Sequence, residues 1–157
     1  MKKRKILITG GTGFIGYHLA KKCLKLNWKV DSISTKLPSI RRKLKRVNYI
    51  ILDISKKNLF KKLSQDYDYV VNLAGYVDHS KSNQIVKTHF KGCKNLANYF
   101  LNTEIKKFVQ IGSSIEYGKE KSPQKENNKK FKKTSSVYGS AKLLSTKYLL
   151  NLDRKST

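Results

Sequence analysis

Short uninterrupted apolar runs alternate along the chain with longer stretches whose apolar residues recur at helical spacing. Lys5-Ile-Leu-Ile-Thr9 predicts a first strand. Ile15, Leu19, Cys23 and Leu26 follow at helical intervals and predict a helix from Phe14 to Leu26. Second and third strands are expected from Val30 to Ser34 and from Val47 to Leu52, with Ser55 placed to cap a helix from Lys56 to Ser64. Tyr69 to Leu73 reads as a fourth strand, Gln84 to Leu101 as a helix, Phe108 to Ile111 as a fifth strand and Ser136 to Leu152 as a last helix. Strands that are apolar throughout, rather than at alternate positions, belong to parallel sheets covered on both faces. With right-handed crossovers, the expected fold is α/β, a doubly wound parallel sheet in the order 3-2-1-4-5. Ligands on such a sheet bind at the carboxyl ends of the strands, beside the switch point between the first and the fourth.

Composition narrows the class. The 157 residues suit a single domain spanning 1–157. No apolar run approaches the roughly 18–20 residues needed to span a bilayer. The basic start Met1-Lys-Lys-Arg-Lys5 is followed by an apolar stretch that stops at Thr9-Gly10, too short for a secretion signal. Cys23 and Cys93 lie apart without metal-ligand spacing, so neither a disulfide framework nor a metal site is expected. The expected location is a soluble, reducing, cytoplasmic compartment. The formal charge is +25, from 35 Lys and Arg against 10 Asp and Glu, a sign that invites nucleic acid. Yet 30 of the basic residues are Lys and 5 are Arg, whereas phosphate and base recognition favour Arg. The lysines are scattered over the polar faces of nearly every segment, and the densest stretch, Lys119 to Lys133, reads as a solvated loop. A small phosphorylated ligand is the expected acidic partner, not nucleic acid and not a membrane.

The turn after the first strand supplies a place for that ligand. Thr9-Gly-Gly-Thr-Gly-Phe-Ile-Gly16 satisfies both Gly10-x-x-Gly13-x-x-Gly16 and Gly11-x-Gly13-x-x-Gly16 between a strand and a helix. A tight turn at positive φ, a close approach of backbone to pyrophosphate and a helix packed near the strand each select a residue without Cβ. The helix N-terminus adds free N–H groups and the positive end of a dipole. The pattern is that of a Rossmann-like dinucleotide site, with Gly10, Gly13, Phe14, Ile15 and Gly16 at the cofactor. An Asp or Glu at the end of the second strand would mark NAD. Here that end reads Ser34-Thr35-Lys36 and carries no carboxylate, while Asp31 is too early in the run. Ser34 and Lys36, with Arg41 and Arg42 beyond, suit a 2′-phosphate, so the expected cofactor is NAD(P) with a lean to NADP. Asp53-Ile54, ending the third strand, is placed to reach the adenine edge, and a helix-initiating Asp is the alternative.

Taken in order, six segments resemble the extended short-chain dehydrogenase/reductase family, the NAD-dependent nucleotide-sugar epimerases, dehydratases and reductases. They are the glycine turn, Asp53-Ile54, Asn72-Leu-Ala-Gly75, Gly112-Ser-Ser-Ile-Glu-Tyr-Gly118, Pro123-x-x-Glu126 and Tyr138-Gly-Ser-Ala-Lys142. The resemblance implies transient hydride transfer between a nicotinamide and a sugar carbon, with Leu73, Ala74 and Gly75 also lining the cofactor. It implies that Tyr138 exchanges the proton of the sugar hydroxyl or ketone, and that Lys142 holds the nicotinamide ribose and favours the phenolate. Ser113, five residues before Gly118, would hydrogen-bond the reacting oxygen, with Ser114 the adjacent second choice. Tyr-x-x-x-Lys spacing alone is met also by Tyr17/Lys21 and Tyr117/Lys121. Only Tyr138 opens a helix after the fifth strand, and a four-residue step puts it on one helix face with Lys142.

Departures refine the expectation. The 4,6-dehydratases place a Glu base three residues before the motif glycine, where this chain has Ile115, with Glu116 one position off. Elimination of water needs a base aimed at the neighbouring carbon, so an epimerase or ketosugar reductase is expected ahead of a dehydratase. His89 stands where the family usually has Asn and is expected to alter packing beneath the site rather than to bind ligand. Ser80, in Val77-Asp-His-Ser80, is a candidate substrate contact. Members of the family continue for a further substrate-gripping domain, so the chain is expected to be a fragment or truncation, with its fifth strand at an exposed edge. A homodimer of the full-length form, and a non-catalytic dinucleotide-binding module as the alternative function, complete the expectations.

Overall fold

The computed structural model describes residues 3–78, 80–119, 123, 125 and 134–156. Strands β1 (Lys5–Thr9), β2 (Lys29–Ser34), β3 (Val47–Ile51), β4 (Tyr69–Asn72) and β5 (Lys107–Gln110) form one parallel sheet in the order β3-β2-β1-β4-β5. Each strand lies within one residue of its apolar run. β1 is central, in register with Lys29–Ile33 on one side and Tyr69–Asn72 on the other. Its side chains alternate across the sheet. Ile6 and Ile8 pack with Ala20 and Cys23 beneath α1 (Phe14–Lys25), while Leu7 packs with Val70, Leu96 and Phe100 on the opposite face. Burial on both faces is why the run reads as continuous rather than alternating.

Polar residues inside β2 have partners or tight neighbours. Asp31 accepts the Tyr67 hydroxyl at 2.6 Å and faces the Lys5 ammonium at 3.9 Å. Burial, reinforced by that carboxylate, pushes the Tyr67 phenol well above its ordinary range. Tyr67 in turn meets Phe100 edge-on at 5.9 Å, and Phe100 is 1% exposed. Phe100→Ala is therefore expected to lower unfolding stability by about 3–5 kcal/mol. A urea titration showing a loss below about 1 kcal/mol would mean that this layer closes without the ring.

The second face carries α2 (Ser82–Ile85), a π-helical segment (Val86–Gly92), α3 (Cys93–Phe100) and α4 (Val137–Ser156). Apolar spacing predicts one regular helix from Gln84 to Leu101; the wider central turn is the difference. It buries both His89 and Gly92, and Gly92 lies so near Ile54 that a Cβ would sit 2.7 Å from its side chain. Such turns are uncommon and recur at functional sites. The Ser136 hydroxyl oxygen accepts the Gly139 N–H at 3.0 Å, capping α4 where the last helix was expected to begin.

The helix expected from Lys56 to Ser64 is corrected. The chain forms 3-10 turns over Lys57–Lys62, and Ser55 does not cap them; its N–H is held by the Asp53 carboxylate at 2.9 Å. Phe60 and Leu63 are both buried, three positions apart, which matches the 3-10 repeat. A short 3-10 turn, Ile40–Arg42, lies in the connection after β2 where no element is expected.

Candidate active site

Packing explains three of the four glycines after β1. Gly10 has φ +69°, and a Cβ on it would lie 2.7 Å from the Leu73 carbonyl oxygen at the end of β4. A Cβ on Gly11 would strike the Ser32 hydroxyl, and one on Gly16 would meet Gly10 and Gly11 at 2.5 Å. Gly13 is different. Its backbone is extended (φ −75°, ψ 178°), and its nearest neighbour would be the Gly10 carbonyl oxygen at 3.2 Å. What its missing side chain leaves open is the approach to the start of α1. No side chain caps that helix and no acidic residue stands in its first turn. The N–H groups of Phe14, Ile15 and Gly16 therefore lack intrahelical acceptors, and the positive dipole end faces the same space. This cradle fits a phosphate or diphosphate.

A cleft of about 450 Å³ runs from this turn along the carboxyl ends of the strands. Gly10 and Gly13 line it, followed by Ser34, Asp53 and Ile54, and then Leu73, Ala74 and Gly75. A second cleft of about 310 Å³ shares the segment after β4 and continues to Ile15, Tyr138 and Lys142. The two clefts adjoin in one crevice that takes in most of the sequence-predicted cofactor residues; Gly16, buried under the turn, and Phe14, exposed beside it, do not line it. Lys36 is not brought in. Like Arg41 and Arg42 it is exposed and lines neither cleft. The end of β2 instead presents Ser34, whose hydroxyl lies 3.1 Å from that of Thr12 and donates to the Ile33 carbonyl at 2.7 Å.

At the far end of the crevice α4 presents Tyr138 and Lys142, one turn apart. Lys142 is 5% exposed, and its ammonium donates to the Ile111 carbonyl at the end of β5. Burial lowers its pKa, and the charges of Glu116 and Cys93 act in the opposite direction. Tyr138 is half-buried and meets the His89 ring edge-on at 5.0 Å. His89 Nε2 accepts the Tyr76 N–H at 3.1 Å, and its carbonyl accepts the Ser145 hydroxyl at 2.7 Å. Its ring therefore joins the segment after β4 to α4. Ser113 follows Gly112 and caps the 3-10 turn Ser114–Tyr117, its N–H held by Glu116 Oε1 at 2.8 Å. It stands one residue beyond the crevice lining, and Ser114 is exposed.

The other candidates fall away from this geometry. Lys21 is exposed and sits 6.0 Å over the Tyr17 ring on α1. Ser80 lines neither cleft; its hydroxyl donates to Asp78 at 2.6 Å within a local turn. Lys121, Glu126 and most of the Lys119 to Lys133 stretch lie outside the described residues. Sequence reading missed Thr12, Gln84 and Thr88, which also line the first cleft. Gln84 and Thr88 are four apart on a helical stretch, so their shared face was a legible signal. The Thr9 hydroxyl, bonded to Asn72 at 2.5 Å, and the Ala74 N–H, held by Thr9 at 3.2 Å, brace the crossing from β1 to β4. Among the described residues no group of His, Cys, Asp and Glu is placed to hold a metal, and no helix is long and apolar enough to cross a membrane.

The chain is similar to known proteins in sequence and in fold. The chain is 30% identical over 134 residues to UDP-N-acetyl-alpha-D-glucosaminuronate decarboxylase of Bacillus cytotoxicus, covering 80% of this chain and 41% of that protein. It is 34% identical over 141 residues to dTDP-D-glucose 4,6-dehydratase of Dictyostelium discoideum, covering 73% and 30%. The crystal structure of UDP-glucuronic acid 4-epimerase from Bacillus cereus, in complex with UDP-4-deoxy-4-fluoro-glucuronic acid and NAD, superposes with a TM-score of 0.79 at 26% identity, over 96% of this chain and 52% of that one. The chain therefore spans between about a third and a half of the length of these relatives. The model of the NAD dependent epimerase/dehydratase family matches residues 6–157, and the chain belongs to that family.

Proposed function

We propose that the chain is the cofactor-binding and proton-transferring portion of an NAD(P)-dependent nucleotide-sugar epimerase or ketosugar reductase. One observation carries this reading: the bare phosphate cradle at Gly13 and the Tyr138–Lys142 pair stand at two ends of one crevice. A bound nicotinamide would supply a reversible hydride acceptor. The chain's own residues do the rest. Main-chain N–H groups at the start of α1 hold the diphosphate, while Asp53 and Ile54 border the adenosine end. At the other end the Tyr138 phenol hands a proton to, or takes it from, the sugar oxygen. The buried Lys142 ammonium stands one helical turn away on the same face. Ser113 steadies the same oxygen from the β5 side.

Glu116 bears on the alternative. It is buried against α4 and lines neither cleft, and Ile115 occupies the dehydratase-base position. An epimerase or reductase therefore fits better than a 4,6-dehydratase, although one relative bears that name. A nucleotide sugar as substrate partner, a homodimer of the full-length form and a cytoplasmic location belong to the same proposal. For the cofactor, the family name and the Bacillus cereus complex support NAD, and the cations expected to face a 2′-phosphate, Lys36, Arg41 and Arg42, line neither cleft. Side-by-side titration with NADH and NADPH tests both levels. We expect both to bind, with NADH at least as tight. NADPH tighter by about tenfold, equal to about 1.4 kcal/mol, would assign NADP. Binding of neither would remove the reading.

A further inference from the structure

Glu116 is a carboxylate only 5% exposed that the proposed reaction leaves without a role. Its two oxygens reach different elements. Oε1 accepts the Ser113 N–H at 2.8 Å, and Oε2 accepts the Thr146 hydroxyl at 2.6 Å from α4. An ionised carboxylate accepts on both oxygens, so it satisfies these donors together, and charge-assisted bonds of this length are the strong ones. Burial of an unpaired charge is costly, and among the described residues no cation lies within ion-pair distance of it. The nearby cation is Lys142: it is buried one helical turn before Thr146 on α4, and its ammonium donates to the Ile111 carbonyl, two residues before the Ser113 N–H that Glu116 holds.

We propose that Glu116 is a positioning residue: its buried carboxylate clasps the Ser113 turn to the Tyr138–Lys142 helix and serves as the fixed counter-charge of the Lys142 ammonium. The clasp joins the two elements that must approach one sugar oxygen from opposite sides, so this inference rests on the function proposed above. Other groups facing the pair do not replace the charge. Cys93, packed below Lys142, has its thiol pushed up to about 11 by burial and is neutral near pH 7. The rings of Tyr138 and His89, packed edge-on at 5.0 Å, make up the crevice side.

The test reads charge directly and needs neither cofactor nor turnover. Side-chain nitrogen NMR of lysine-labelled protein follows Lys142, whose signal is identified by its loss in Lys142→Met. In Glu116→Gln, which keeps an acceptor for Ser113 but no charge, deprotonation of Lys142 is expected to move down by about one pH unit. In Glu116→Asp, which keeps the charge, it is expected to stay nearer the wild-type value. A second variant leaves Glu116 intact. Thr146→Val removes the hydroxyl that fixes Oε2, and deprotonation of Lys142 is expected to move down in it too, by less than in Glu116→Gln. Lys142 titrating alike in wild type and Glu116→Gln overturns the proposal. So does Lys142 titrating alike in wild type and Thr146→Val, which decides the matter if the glutamine variant does not fold. Failure of wild-type protein to bind NADH would strike the functional reading alone and leave these titrations standing.

Discussion

Gly13→Val is expected to abolish binding of NADH and NADPH while the protein stays folded. The fold asks less of Gly13 than of the other glycines in the turn. Its φ is ordinary, and a Cβ would press on a single atom, the Gly10 carbonyl oxygen at 3.2 Å, which must give by a few tenths of an ångström. The isopropyl group would project instead into the space before the free N–H groups of α1. Losing two charge-assisted hydrogen bonds to a diphosphate, at about 1.5–3 kcal/mol each, costs about 3 kcal/mol or more, which is over about 100-fold in Kd. Fluorescence titration measures the affinity, and the urea midpoint monitors the fold. Affinity within threefold of wild type would show that the diphosphate does not rest on this turn. The comparison with Gly16 is instructive: a Cβ there would lie 2.5 Å from backbone on two residues, so Gly16→Val is expected to unfold the turn and cannot separate binding from stability.

Tyr138→Phe is expected to remove turnover and spare the cofactor. Loss of a positioned proton-transfer group costs about 10²–10⁴ in rate, and the phenylalanine ring keeps the edge contact with His89 that fixes the side chain. Measured on the protein assembled as an active enzyme with a UDP-sugar, kcat is expected to fall by about 1000-fold. NADH affinity should stay within about threefold, because in the proposed function the hydroxyl acts on the sugar oxygen while the diphosphate is held elsewhere. Lys142→Met should behave differently, weakening cofactor binding as well as turnover. Wild-type activity in Tyr138→Phe would show that another group carries the proton.

How much of this was legible in the sequence follows from how local each feature is. β1 reads as a strand because Ile6, Leu7 and Ile8 are buried on alternating faces of a central position. The glycine turn reads as a phosphate cradle because tight backbone reversal into a helix start involves few residues, all adjacent. Tyr138 and Lys142 are one helical turn apart, so their shared face follows from spacing. The Lys56 to Ser64 segment misled because Phe60 and Leu63 fit a helical pattern almost as well as a 3-10 one. The choice was made by the core they enter, not by their own propensities. Lys36 misled for a related reason: sequence distance placed it near the ribose, but the chain beyond Ser34 turns outward to solvent.

The amino-acid order by itself determined the sheet and its strand order, the glycine turn before α1 and the helix face that carries the Tyr–Lys pair. Each depends on hydrophobic periodicity or on neighbours within a few residues, where short-range sterics decide. Only the tertiary structure decided that a Cβ on Gly13 would meet fewer atoms than one on any other glycine of the turn. It also decided that His89 packs on Tyr138 from thirteen residues beyond the Tyr76 amide it holds, and that Glu116 lies between the Ser113 turn and α4. These contacts join segments separated by 13 to 49 positions, and no local pattern specifies them. They arise when the covered faces of the sheet bring α4 and the strand ends together, and burial then sets the charges that surround Lys142.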